Sequence, residues 1–219
     1  MLIKRLVVLI SGQGTNLKAL IQACQQKKLA AQITAVLSNK ANAQGLAYAV
    51  NMNIPIHTLD INDFTGSKSF DYALAAIIDY YQPDIVVLAG YMRILSAEFV
   101  YRYAGRLLNI HPSLLPLYPG LHTHRKALQN GDIIHGASVH FVTNIVDSGP
   151  VILQAHVPIL SNDNEITLAQ RVKNKEHVIY PLVISWLLAG RIVLQENTVF
   201  LDGVELPPTG YNTNLLTLS

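Results

Sequence analysis

Short apolar runs alternate with longer amphipathic stretches along most of this 219-residue chain. The runs at 6–10, 33–37, 54–58, 84–88 and 107–110 read as strands, and the stretches at 16–28, 41–52, 68–81 and 96–104 as helices. This alternation predicts βαβ units in an α/β fold with a doubly wound, mostly parallel Rossmann-like sheet. After a Pro-rich loop the pattern predicts a short helix at 123–130 and two β-rich runs at 136–142 and 150–159. The link between those runs, Thr-Asn-Ile-Val-Asp-Ser-Gly, is too short for a crossover and predicts an antiparallel hairpin in the C-terminal lobe. Residues 164–189 read as one long helix behind a Ser-Asn-Asp-Asn capping cluster, which Pro181 should kink or break. Two short strands around Glu-Asn and Asp-Gly turns are expected within 190–206, then a loose tail at 207–219. One domain over 1–206 is expected, with lobes at 1–105 and 106–206.

Half of the residues are hydrophobic, enough for one large domain with a substantial core. The net charge of +2 is unclustered, with Lys27–Lys28 the densest basic patch. A nucleic-acid surface is therefore not expected, whereas a few phosphates on a small substrate fit. The lone Cys24, beside Ala23 and Leu20, reads as packing and suits a reducing compartment. No run approaches the roughly 20 apolar residues of a membrane helix. The opening LIKRLVVLISG reads as a first strand rather than a signal peptide, so the expected location is cytoplasmic.

The chemistry concentrates at 107–120, Leu-Leu-Asn-Ile-His-Pro-Ser-Leu-Leu-Pro-Leu-Tyr-Pro-Gly. Asn109 and His111 are two apart on a predicted strand and so share one of its faces. Pro112 holds His111 extended to the end of that strand. An amide beside an imidazole suits a reaction in which a carbonyl oxygen gains charge and a proton moves; local satisfaction of the backbone is the plainer alternative. Earlier, Ser-Gly-Gln-Gly-Thr-Asn-Leu at 11–17 sets two glycines between a strand and a helix start, where backbone N–H groups can bind an anion. A dinucleotide fingerprint would need Gly at Leu17 and an acidic residue at Asn39 or Lys40, so the loop suits one phosphate, or is an ordinary βα turn. Asp147 reads either as a turn residue or as the partner of an imidazole. His122, His124, His135 and His140 lack the spacing of a metal site, so no metal is expected.

The string NIHPSLLPLYPGLHTHRKAL at 109–128, with SGQGTNL at 11–17, AGYMRIL at 89–95 and HGASVHFV at 135–142, resembles the phosphoribosylglycinamide formyltransferase family of purine synthesis. The resemblance runs from about residue 6 to about residue 210. It implies transfer of a formyl group from 10-formyltetrahydrofolate, as cosubstrate, to the amine of 5-phosphoribosylglycinamide. It also implies that Asn109, His111 and Asp147 come together as the catalytic group. The substrate phosphate would fall to Gly14, Thr15 and Asn16 in the first lobe, and the glycinamide part to Glu176. Folate would contact Met92, Arg93, Ile94 and Leu95, together with Asn109 and the loop of Thr143, Asn144, Ile145, Val146 and Asp147. By themselves, Met92–Leu95 could open a helix and Glu176 could be a solvated helix residue among Lys173, Lys175 and His177.

The expected partners are these two small molecules, with no nucleic acid or membrane, for a monomer or weak homodimer. Two positions depart from the family pattern. Its Gly-Gly after the catalytic Asp is Ser148-Gly149, and an Arg common near position 67 is Ser67 with Lys68 beside it. Other outcomes remain: a formyltetrahydrofolate deformylase, which typically has an extra N-terminal domain; a formylase of initiator tRNA, which carries a further C-terminal domain; or a non-catalytic phosphosugar- or folate-binding module. The chain is expected to carry neither extra domain, and a phosphate loop would be idle in a pure hydrolase.

Overall fold

The computed structural model describes residues 3–212. The chain divides into two compact units, Met1–Asn109 and Ile110–Ser219. In the first, strands β1 (Lys4–Ile10), β2 (Ala31–Ser38), β3 (Ile56–Thr58), β4 (Ile85–Leu88) and β5 (Leu107–His111) pair in parallel in the order β5-β4-β1-β2-β3. β5 continues through the division between the units. Helices α1 (Thr15–Gln25), α2 (Leu46–Val50), α3 (Ser67–Tyr80) and α4 (Ala97–Arg102) connect the strands. Val7, Val8, Leu9, Val36, Leu37, Val86 and Val87 have no exposed surface. Strands buried on both faces read as continuous apolar runs, which is why β1, β2, β4 and β5 stood out in the sequence, while the edge strand β3 is partly exposed.

One connection differs from expectation. The helix predicted over 41–52 is only Leu46–Val50. Residues 39–45 are drawn instead into turns, with the Ala43 N–H on the Lys40 carbonyl and the Gly45 N–H on the Gly12 carbonyl. Beyond the helix, Asn53 takes a positive φ of 52°.

In the second unit, α5 (Thr123–Gln129) precedes β6 (Ile134–Phe141) and β7 (Val151–Pro158), which form the expected antiparallel hairpin. The long helix α6 (Glu165–Leu188) packs against both strands. Of the kink or break expected at Pro181, the break does not occur, and α6 continues through it. An interior proline costs about 3 kcal/mol. Ile179, Tyr180, Val183 and Ile184 around it are all buried, and each such side chain contributes roughly 1.5–3 kcal/mol. Burial of the helix face therefore outweighs the lost backbone bond.

Three strands rather than two follow: β8 (Ile192–Gln195), β9 (Thr198–Leu201) and β10 (Val204–Glu205), in a small antiparallel sheet. Their tight turns are the Glu196-Asn197 and Asp202-Gly203 pairs, all at positive φ. Of the segment expected to be loose, residues 207–210 close a turn and β11 (Tyr211–Asn212) pairs in parallel with β7. Residues 213–219 lie outside the described residues. Both units thus contribute to an α/β architecture with a mostly parallel sheet and an antiparallel hairpin.

Candidate active site

β5 ends at His111, one residue before Pro112, and Asn109 sits two residues back, opposite Leu88 of β4. The period of two therefore sets the Asn109 and His111 side chains on the same face of the strand. His111 is buried, with its two ring nitrogens turned toward different oxygens. Nε2 lies 2.9 Å from the Tyr118 carbonyl and Nδ1 lies 3.4 Å from Asp147 Oδ2. A carbonyl only accepts, so Nε2 must carry hydrogen to make its bond. Both contacts are hydrogen bonds at once only when both nitrogens are protonated.

Asp147 is held at a left-handed φ of 49°, in the link between β6 and β7. The Gly120 N–H donates to Asp147 Oδ2 at 2.8 Å. His140, which the sequence reading treated only as a metal candidate, approaches Asp147 Oδ1 through Nε2 at 3.9 Å. A register shift in the β6–β7 ladder falls between Val139 and His140, and such irregularities re-aim side chains. Burial pushes the His140 imidazole down to about 4, so it is neutral near pH 7. Its Nδ1 lies 2.8 Å from the Phe141 carbonyl, which places the hydrogen there.

The segment 143–147 is a turn whose tip exposes Asn144, Ile145 and Val146. Thr143 Oγ1 donates to the Ile145 carbonyl at 3.2 Å, and Ser148 Oγ donates to the Val146 carbonyl at 3.1 Å. Position 149 tolerates only glycine, because a Cβ there would strike the Phe141 carbonyl. Glu176 is buried on the same face of α6 as Val172, Ile179 and Val183, which overturns the solvated reading of that residue. His124 and His135 pair through their rings at 3.1 Å. Among the described residues no group of three or more His, Cys, Asp or Glu side chains could hold a metal ion.

In the first unit, Gly14 takes φ 69° and caps α1. Its other constraint is contact: a Cβ on Gly14 would lie 2.5 Å from Cα of Gly45. The turn over Thr15 and Asn16 has no side-chain cap and no acidic residue, which leaves the positive end of the helix free of competing negative charge. Ser11, the first residue of the Ser-Gly-Gln-Gly motif and given no role by its spacing, joins three strand ends. Its Oγ donates to Asn39 Oδ1 at 2.5 Å and accepts the Met92 N–H at 2.8 Å, while its own N–H reaches the Gly90 carbonyl. A serine just after a buried strand was the available signal.

Met92 to Leu95 precede α4 as a loop and do not open a helix. Met92 and Ile94 are exposed and Leu95 is buried. The Arg93 guanidinium lies 4.1 Å from the centre of the Phe70 ring, with Nε 3.9 Å from Asp71 Oδ1. Asp71 Oδ2 in turn accepts the Ser96 N–H at 2.7 Å, fixing the end of the loop. Arg93 Nε and Nη2 are buried donors with no hydrogen-bond partner among the described residues. Ser67 opens α3, and Lys68 beside it pairs with Glu98 at 2.9 Å. Lys68 is thereby committed to another charge.

A family model described as formyl transferase matches residues 4–184. The chain is 58% identical to the phosphoribosylglycinamide formyltransferase of Escherichia coli K12, over 94% of its own length and 97% of that protein's. With the enzyme of the same name from Haemophilus influenzae it shares 46% identity, over 95% of this chain and 98% of the other. Among solved structures, the phosphoribosylglycinamide formyltransferase of Coxiella burnetii in complex with CHES superposes with a TM-score of 0.92 at 49% identity, covering 95% of this chain and 98% of that one. A formyltetrahydrofolate deformylase from Pseudomonas syringae is more distant, at 25% identity and a TM-score of 0.84, and only 65% of that chain is covered. The chain therefore belongs to the formyl transferase family, among the phosphoribosylglycinamide formyltransferases.

Proposed function

We propose that this protein transfers the formyl group of 10-formyltetrahydrofolate to the amine of 5-phosphoribosylglycinamide in purine synthesis, working in the cytoplasm as a monomer or weak homodimer. The observation that carries this reading is the likeness to enzymes of that activity over nearly the whole chain, at up to 58% identity. The geometry around His111 supports it. The amine attacks the formyl carbon, and the carbonyl oxygen of the resulting tetrahedral intermediate carries negative charge. Asn109 and protonated His111 stabilise that oxygen, since preorganised donors aimed at a developing oxyanion are among the strongest catalytic devices. Asp147 holds the His111 ring and takes part in moving the proton from the attacking nitrogen to the departing N10. Collapse of the intermediate breaks the bond from the formyl carbon to N10, releasing tetrahydrofolate and the formylated amide.

The substrate phosphate is assigned to Gly14, Thr15 and Asn16, where the uncapped start of α1 offers backbone N–H groups. Glu176, buried on α6, is assigned to the glycinamide. Folate is assigned to Met92, Arg93, Ile94 and Leu95, to Asn109, and to Thr143, Asn144, Ile145, Val146 and Asp147; Met92 and Ile94 in the first unit, and Ile145 and Val146 in the second, are exposed apolar side chains of the kind small-molecule sites use. No metal takes part in this scheme.

The test is release of tetrahydrofolate from 10-formyltetrahydrofolate by purified protein, with and without phosphoribosylglycinamide. Acceptor-dependent release, abolished in His111→Ala, is the expected result. Release that ignores the acceptor would make the protein a deformylase, and no release at all would leave a binding module.

A further inference from the structure

We infer that Tyr118 is a positioning residue for His111, acting as a strut whose backbone carbonyl sets the imidazole and whose phenol is fastened to Asp132 and Asn130. This inference rests on the reading of His111 as catalytic. Its observations are distinct from those behind that reading. Tyr118 takes a left-handed φ of 54°, which a bulky side chain rarely adopts without being held. That conformation carries the carbonyl to 2.9 Å from His111 Nε2. At the other end of the residue, the phenol donates to Asp132 Oδ2 at 2.6 Å and accepts from Asn130 Nδ2 at 2.8 Å. The Asp132 bond also raises the titration of the phenol, which keeps its hydrogen in place at working pH.

The rest of the loop shows why such a strut is needed. Its first half is fastened to the β6–β7 hairpin by buried bonds. Ser138 Oγ donates to the Ser113 carbonyl and accepts the Leu115 N–H, while Gln154 Nε2 reaches the Leu115 carbonyl. Its far end is closed by Thr123 Oγ1 on the Pro112 carbonyl. Between these anchors Tyr118, Gly120 and His122 all take positive φ, and the backbone is held by single bonds, with Ser113 Oγ donating to the Leu117 carbonyl at 2.6 Å and more distantly to the Tyr118 carbonyl at 3.4 Å, and the Gly120 N–H donating to Asp147. The Tyr118 phenol lies in this stretch and ties it to the turn after α5. The carbonyl that faces His111 is thus held on one side by the Ser113 hydroxyl and on the other, through its own residue, by a side chain pointing away from the reaction.

The strut accounts for two properties at once. A carbonyl at Nε2 fixes where one ring hydrogen sits, and so leaves Nδ1 for Asp147. It also fixes the ring plane, and misplacement of a catalytic group by about 1 Å can cost on the order of a hundredfold in rate.

The experiment is steady-state kinetics of formyl transfer for Tyr118→Phe, Asp132→Ala, the double variant and Asp132→Asn, with His111→Ala beside them. Tyr118→Phe is expected to lower kcat about ten- to a hundredfold, with KM for both substrates within about twofold. Asp132→Ala should act alike, and the double variant should be no worse than the more damaged single one, because both cut the same tether. Asp132→Asn keeps an acceptor for the phenol and should recover part of the loss. In nitrogen-15 spectra of the imidazoles, His111 should carry hydrogen on Nε2 in the wild type and lose that fixed state in Tyr118→Phe. Should Tyr118→Phe fail to fold, Asp132→Asn and Asp132→Ala carry the comparison.

Wild-type kcat in Tyr118→Phe would overturn the strut, as would multiplicative losses in the double variant or an unchanged His111 spectrum. If His111→Ala itself retains activity, the assignment of His111 as catalytic fails instead, whatever the strut variants show.

Discussion

His111 and Asp147 illustrate how much a single residue owes to its neighbours. The spacing of Asn109 and His111 and the Pro112 behind them are readable in the chain because strand periodicity is local. The approach of Asp147 is not, since its 3.4 Å contact crosses 36 positions and depends on where the β6–β7 turn comes to lie. By local pattern alone Asp-Ser-Gly is ordinary turn chemistry, and only the family resemblance set Asp147 beside His111 before the fold was known. The same holds for Glu176, whose sequence neighbours are charged but whose side chain is buried, and for Arg93, whose stacking on Phe70 no local pattern announces. Gly14 lies between these cases. Its positive φ could be anticipated from a strand-to-helix turn, whereas its contact with Gly45 could not. Gly14→Ala is expected to lower stability by about 1–3 kcal/mol, since the methyl meets backbone that cannot swing aside. Urea unfolding of the two proteins measures this, and an unchanged midpoint would mean that the two loops are free to separate.

At the scale of elements, strands were more readable than helices. Four of the five parallel strands carry an apolar core that marks them in the sequence, whereas β3, Ile-His-Thr, is short and partly exposed. Helix limits depend on what the ends are bonded to. α2 lost residues 41–45 to turns that meet Gly12 and Gly14, and α6 runs on past Pro181 with buried side chains on both sides of the proline. The start of α6 is the best-defined end. Asn164 Oδ1 accepts the N–H groups of Ile166 and Thr167, and Thr167 Oγ1 accepts the Asn164 N–H. Such a reciprocal cap satisfies donors that the helix geometry leaves over. Asn164→Ala should therefore cost about 1 kcal/mol, read from the denaturation midpoint, with activity retained at temperatures where the protein is folded.

For the whole molecule, buried histidines make acid the weak side of stability. His140 and His135 are both pushed down to about 4 from an ordinary 6.5, chiefly by burial. A histidine held neutral in the folded state binds its proton first in the unfolded chain. Stability is thus unaffected above about pH 7 and falls as pH drops from 6.5 toward 4. For His140 this amounts to about 3 kcal/mol by pH 4. Equilibrium unfolding across that range should show the decline before ordinary carboxylates titrate. His140→Asn, which keeps an N–H for the Phe141 carbonyl, should flatten part of it; an equal slope in that variant would show that His140 is not a source of the acid loss.

By itself the sequence determined the α/β class, the strands of the first unit, the hairpin and the family, because hydrophobic period and short motifs are properties of neighbouring residues. The tertiary structure decided that His111 and His140 both approach Asp147, that Tyr118 faces His111, where Glu176 and Arg93 are buried, and that Tyr211–Asn212 joins β7 as a strand. Those outcomes turn on contacts between residues far apart in the chain, whose energies exist only once the backbone has brought them within a few ångströms.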